Sequence, residues 1–257
     1  MAFSKTLRML GPATLILGLA VSAKAALVSV PYSQNFDGYA VDGPTDFTES
    51  STSAFTIIDY SGSKAYLARL VSTNGSHSGS VQVAGSGGQN FSVASDITRY
   101  SETNLGTATA MTISLAAAGT ATTFGSTEYR VSLNYHNGTV TFLRNGATTT
   151  TTNSGTLPSL ATDNTVRLTL SGIYSTATQA QITYTLTDGT NTFTGVYNDS
   201  AELNGEYFGF RVAKNSGSGS TVAAVLDNFT LTAVPEPSAL ALFATAALFA
   251  IGRRSRR

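Results

Sequence analysis

Between residues 26 and 233 apolar and polar positions alternate, again and again, with a period of two. In Glu128–Tyr135, Tyr129, Val131, Leu133 and Tyr135 share one side, while Glu128, Arg130, Ser132 and Asn134 share the other. In Gln181–Thr187, Ile182, Tyr184 and Leu186 alternate with Gln181, Thr183, Thr185 and Thr187. Phe208, Phe210 and Val212 fall together, as do Leu168 with Leu170, and Met111 with Ile113 and Leu115. This is the signature of strands that bury one face and wet the other. No stretch of a dozen residues keeps a helical period. Turn residues separate the strands: Asn137-Gly138, Asn145-Gly146 and Asp188-Gly189 accept the positive φ that tight hairpins require. Many short strands with short turns predict an all-β fold, an antiparallel β-sandwich of jelly-roll type. Ser72–Gln89, with five glycines, reads as loops, and Thr148–Thr152 reads as an edge strand or a Thr-rich loop.

Both ends depart from the alternation. At the start, Lys5 and Arg8 precede an apolar run from Met9 to Val21. Ala23 and Ala25 then stand at the −3 and −1 positions of a cleavage site before Ala26. That order of basic, apolar and small residues predicts a secretory signal peptide over 1–25. At the far end Pro235 and Pro237 bracket Glu236 and must stop the last strand, since proline has no N–H to continue a ladder. Ser238–Gly252 is a run of 15 apolar or small residues, predicted to be a helix. It is shorter than the roughly 20 residues of a full span, within reach of a thinned bilayer. Arg253, Arg254, Arg256 and Arg257 would hold the terminus on the cytoplasmic side, leaving the body outside. The expected division is 1–25 signal peptide, 26–233 sandwich and 234–257 sorting and anchor segment.

Val234, Pro235, Glu236 and Pro237, followed by the apolar run and the arginines, resemble the PEP-CTERM sorting signal of Gram-negative bacteria. The resemblance implies an exosortase as processing partner. It further implies delivery through the inner membrane to the cell surface or to a matrix containing exopolysaccharide. Tails of this kind also occur on some ice-binding proteins. Within the body, "YSQNFDGY" and "AAVLDNFTLT" resemble the first and last strands of concanavalin A-like and laminin-G-like jelly rolls, where those strands pair.

Charge narrows the partners. The formal net charge is zero, but residues 26–234 hold 14 acidic and 8 basic residues, a net of −6. No basic cluster interrupts the body, which argues against nucleic acid as a partner. Cysteine is absent, so thiol chemistry and disulfides are excluded.

Candidate chemistry in the body is sparse. His77 and His136 lack the context of a catalytic triad. No pair of acids has the i, i+2 spacing that would set two carboxylates on one strand face for glycoside cleavage. Asp42, Asp46, Glu49, Asp199 and Glu202 read as loop or turn acids. The expectation is therefore a non-enzymatic structural or adhesive protein without a cofactor. The alternative is a module that binds or cleaves exopolysaccharide, for which the shared face of Tyr207, Gly209 and Arg211 offers a surface. With two histidines and no cysteine a transition-metal site is not expected, and calcium is the candidate metal, because pairing of the terminal strands would bring Asp37 and Asp227 together. Asp227 shares parity with Val225, Phe229 and Leu231 and points inward unless a bulge intervenes. Thr107, Thr109 and Thr112 are the candidates for an ice-binding row, though their spacing breaks after one step.

Overall fold

The structure, a computed structural model, describes residues 27–70, 75–100, 111–134, 139–152, 164–176, 179–214 and 222–233. The signal-peptide residues Ala23, Ala25 and Ala26, the motif Val234–Pro237, the apolar run and the terminal arginines lie outside these residues.

Two sheets of eight strands each face one another. The front sheet runs β1 (Leu27–Val28), β6 (Gly75–Val83), β15 (Tyr207–Lys214), β8 (Met111–Gly119), β9 (Tyr129–Asn134), β10 (Thr139–Arg144) and β11 (Ala147–Thr152). Its eighth strand, β3 (Thr48–Glu49), shares the outer edge of β6 with β1. The back sheet runs β14 (Thr192–Asp199), β13 (Gln179–Thr187), β12 (Thr165–Thr176), β7 (Phe91–Arg99), β16 (Val222–Ala233), β5 (Ser63–Leu70) and β4 (Phe55–Tyr60). There β2 (Tyr32–Gln34) and β5 pair with successive lengths of β16. The pairs are antiparallel apart from β1 with β6. The expected pairing of the terminal segments is present, with Phe229 opposite Gln34 and Leu231 opposite Tyr32.

The apolar parity read from the sequence is the core parity. Val131, Leu133, Ile182, Leu186, Phe208, Phe210, Leu168 and Leu170 are all buried between the sheets. Aromatic rings fill both ends of this layer. Phe36, Phe47, Phe55, Tyr66, Phe210 and Phe229 form one group, with centroids 5.1–6.4 Å apart. Phe142 stacks on Tyr184 at 5.2 Å in the other.

Two readings of loops are settled by the sheets. Thr148–Thr152 belongs to edge strand β11. The glycine-rich Ser72–Gln89 is corrected: its middle is β6, a strand paired on both edges. Its small residues answer to packing. A Cβ at Gly79 would come within 3.0 Å of the Tyr66 hydroxyl, and Ser78 and Ser80 on the other face lie beneath a loop. The composition that resembles a loop is what a strand needs when both faces are tightly covered.

Candidate functional site

The outer face of the front sheet is polar yet largely buried. One row crosses five strands: Ser78 on β6, Arg211 on β15, Ser114 on β8, Ser132 on β9 and Thr141 on β10. The row beside it holds Gly209, Ala116 and Arg130. Alternation along each strand puts these residues on the side away from the core, and the ladder registers bring them into line. Ser114 and Ser132 are hydrogen-bonded through their hydroxyls at 2.7 Å.

The connection 120–128 folds back across this face. The Ser80 hydroxyl donates to the Thr122 carbonyl at 3.0 Å, and the Phe124 N–H donates to Ser78 Oγ at 3.0 Å. The Phe124 ring is buried, and it takes the space that a side chain at Gly119 would need. Glu128 closes the loop. Its Oε2 accepts the N–H groups of Gly125 (3.0 Å) and Thr127 (2.9 Å), and its Oε1 accepts Arg130 Nη1 at 2.7 Å. Glu128 is fully buried and Arg130 is 5 % exposed.

Arg211 is the second guanidinium here. Burial, then repulsion from the Arg130 charge, push it down to about 10, with Glu128 opposing. Burial likewise lowers Arg130, and Glu128 opposes. The Nε atoms of both arginines are buried without a hydrogen-bond partner. Two cations therefore lie beside one carboxylate, which is bonded to Arg130. The face has positive charge in excess, and Arg211, the partly exposed member, suits an anion arriving from outside.

A second network joins the sheets at the far edge. Asp199 Oδ2 accepts the Tyr129 hydroxyl at 2.7 Å and Arg144 Nε at 2.5 Å, and Oδ1 accepts the Ala201 N–H at 3.0 Å. Arg144 Nη2 also donates to the Ala201 carbonyl. Burial alone would push the Asp199 carboxyl up, but Arg144, Tyr129 and the Ala201 N–H outweigh it and hold it below the ordinary aspartate range. The unfolded chain then takes up this proton first as pH falls. The stabilisation is complete above about pH 4 and is lost as pH drops through the lower native value. In urea titrations between pH 5 and pH 2, the native chain is expected to lose more stability than Asp199→Asn; parallel losses would refute this.

The remaining sequence candidates are placed as follows. Asp37 Oδ1 accepts the Lys64 N–H at 2.9 Å and its Oδ2 accepts Asn35 Nδ2 at 3.0 Å. A bulge between Asp227 and Thr230, with Asn228 at φ 48°, turns Asp227 to the outer side opposite Asp96. Burial raises the Asp227 carboxyl; the Asn228 N–H counteracts, while Asp96 and then Asp37 add to the rise. Pairing of the terminal strands thus brings Asp37 and Asp227 within electrostatic reach. Among the described residues no three His, Cys, Asp or Glu side chains are grouped to hold a metal ion.

Asp42, Asp46 and Glu49, read as acids of one opening loop, line a cleft of about 590 Å³ with Phe47 and Phe55, Glu49 from strand β3. Glu49 there accepts the Tyr66 hydroxyl at 2.7 Å. His77 lies on β6, and His136 lies outside the described residues. So do Thr107 and Thr109, whereas Thr112 stands between Ala213 and Asn134 on the front sheet. A threonine row does cross the back sheet, through Thr194, Thr185 and Thr169.

Sequence reasoning put Glu128, Arg130 and Arg211 on polar strand faces but did not join them. The one available signal was Glu128-x-Arg130, opposite charges two apart on one strand face.

Residues 233–257 match the PEP-CTERM protein-sorting motif. The chain carries a PEP-CTERM sorting signal. This signal marks an exported protein that an exosortase sorts towards the cell surface. Curated proteins give no match. Lectin I from Ulex europaeus, solved with the methyl glycoside of α-L-fucose, superposes with a TM-score of 0.51 at 12 % identity, over 79 % of this chain and 98 % of its own. The alginate lyase Aly36B superposes with a TM-score of 0.50 at 12 % identity, over 81 % and 99 %. These likenesses show a shared concanavalin-like sandwich fold. Among the described residues of the PEP-CTERM chain, no helix is long and apolar enough to cross a membrane.

Proposed function

We propose that the body of this exported chain is a non-catalytic adhesive component of the cell surface or extracellular matrix. In this reading it holds an acidic exopolysaccharide through the outer face of the front sheet. The observation that carries the reading is a second, partly exposed guanidinium, Arg211, beside the Arg130–Glu128 ion pair, whose carboxylate is already bonded to Arg130 and two amides. A guanidinium binds a carboxylate through two parallel hydrogen bonds, and burial strengthens the pairing. The neighbouring serine and threonine hydroxyls supply the groups that sugar hydroxyls need. Glu128 is fully buried and committed to Arg130 and two amides, which keeps it from a sugar and supports binding without cleavage. One protein of this fold acts on alginate and another was solved with a fucoside. That is an analogy of fold, and the arginines carry the weight.

The test is binding of the full chain to a uronate-containing polysaccharide and to a neutral glucan. The acidic polymer is expected to bind, less tightly as salt rises. Arg211→Gln is expected to weaken it about 10- to 100-fold, the worth of one or two hydrogen bonds to a charged group. Equal affinity for both polymers would overturn the acidic ligand, and new reducing or unsaturated ends would overturn the non-catalytic role.

A further inference from the structure

The sandwich is open at the end where the chain leaves β16. A cavity of about 290 Å³ lies there, floored by Val83, Phe91, Phe208 and Leu231, side chains that otherwise belong to the core. It is small beside the usual range of ligand pockets, and fits a few side chains better than a cofactor. Ser86, Gln89, Asn90 and Thr232 are its polar lining, and one of them has an unused donor. Asn90 is 7 % exposed, and its Oδ1 accepts the Tyr174 N–H at 2.7 Å. Its Nδ2 is buried with no hydrogen-bond partner. The cavity thus offers an apolar floor and one unused donor, so its occupant needs an apolar group beside a carbonyl.

Ala233 forms part of the rim and is the last residue of β16. It makes the last pairing of that strand with β7, opposite Phe91. Leu231 and Ala233 share the parity that faces the cavity, and position 235 is next in the same series. It holds a proline. Proline has no N–H to offer a ladder. A Val-Pro segment also has carbonyls to spare and few donors, which complements the unused Asn90 donor.

We propose that this cavity is the docking site for the first residues of the sorting segment, Val234 and Pro235, with Asn90 Nδ2 donating to a carbonyl of that segment. The docked motif is held on the body. Release from the cavity then precedes exosortase cleavage, so the body of the protein regulates its own processing.

The chain has no cysteine, so a disulfide trap is clean. Gln89→Cys on the cavity rim is combined with Ser238→Cys, just beyond the motif, in the full precursor made in cells lacking the exosortase. Thr192→Cys with Ser238→Cys is the control, on the back-sheet edge strand β14. The rim pair is expected to link within one chain at several times the yield of the control, read from linked peptides by mass spectrometry. Asn90→Asp keeps the acceptor for Tyr174 and removes the donor, and is expected to lower that yield several-fold. In cells with the exosortase, the linked precursor is expected to persist uncut until it is reduced. Equal linking in the rim and control pairs overturns the proposal, and so does processing of the linked chain at the unlinked rate.

Discussion

Glu128→Ala is expected to destabilise the body by about 3–5 kcal/mol, the usual cost of removing one partner of a buried ion pair. Three effects combine. Arg130 is left as a buried cation with no carboxylate, and Arg211 beside it already lacks one. The N–H groups of Gly125 and Thr127 lose their acceptor. The 120–128 connection loses the carboxylate that ties its end together and keeps its bonds to Ser78 and Ser80. For a domain of this size the midpoint should fall by roughly 6–20 °C. A melt within two degrees of the native chain would refute it. The double variant Glu128→Leu with Arg130→Met removes both charges at once and is expected to recover the share of the loss that comes from the unpaired Arg130, while the Gly125 and Thr127 N–H groups still lack their acceptor. The double variant should nevertheless bind acidic polysaccharide poorly, which separates the role of the arginines in binding from the role of the pair in folding.

Phe142→Ala should cost about as much, ~3–5 kcal/mol, for a different reason. Phe142 is fully buried on β10 and touches three tyrosine rings: Tyr184 at 5.2 Å, Tyr197 at 5.2 Å and Tyr129 at 6.4 Å between centroids. Tyr184 and Tyr197 belong to the back sheet, so this ring clamps the two layers at the edge where β14 and β11 lie. The surroundings have little freedom to collapse into the hole. Tyr184 lies over Gly195, where a Cβ would overlap the ring, and its hydroxyl is hydrogen-bonded to Thr150 Oγ1 at 3.0 Å. Phe142→Leu keeps most of the volume and should lose less than half as much. Urea unfolding measures both. The chain has no tryptophan, so near-ultraviolet circular dichroism reports on the tyrosine and phenylalanine packing itself and should lose intensity in Phe142→Ala. An unchanged midpoint would mean that the aromatic contact does not join the sheets.

What the chain alone determined was local. Period two at Tyr129–Leu133, Ile182–Leu186 and Phe208–Val212 marked strands and their buried sides, because alternation is a property of one strand and needs no knowledge of its neighbours. Asn145-Gly146 and Asp188-Gly189 marked hairpins for the same reason: Asn145, Gly146 and Gly189 all have positive φ. The sorting signal was equally legible, since its V-P-E-P motif, apolar run and arginines are contiguous. Where that locality failed, the cause was a neighbour. Gly79 has no side chain because Tyr66 from the other sheet presses on it, so β6 read as a loop. Asp227 faces outward because the bulge at Asn228 shifts the register, and parity could not reveal the bulge.

The arginine site shows the limit most clearly. Arg130 and Arg211 are 81 residues apart in the sequence, and each was legible as a polar residue on its own strand. Only the order β15–β8–β9 sets them on adjacent rows of one face, two strands apart. The same holds for the cavity, where Asn90, Phe208 and Leu231 come from three distant segments. Strand order is decided by the sum of many cross-strand and inter-sheet contacts, and no single stretch of sequence contains that sum. The chain wrote its faces and its address; the pairing of the sheets decided which charges meet.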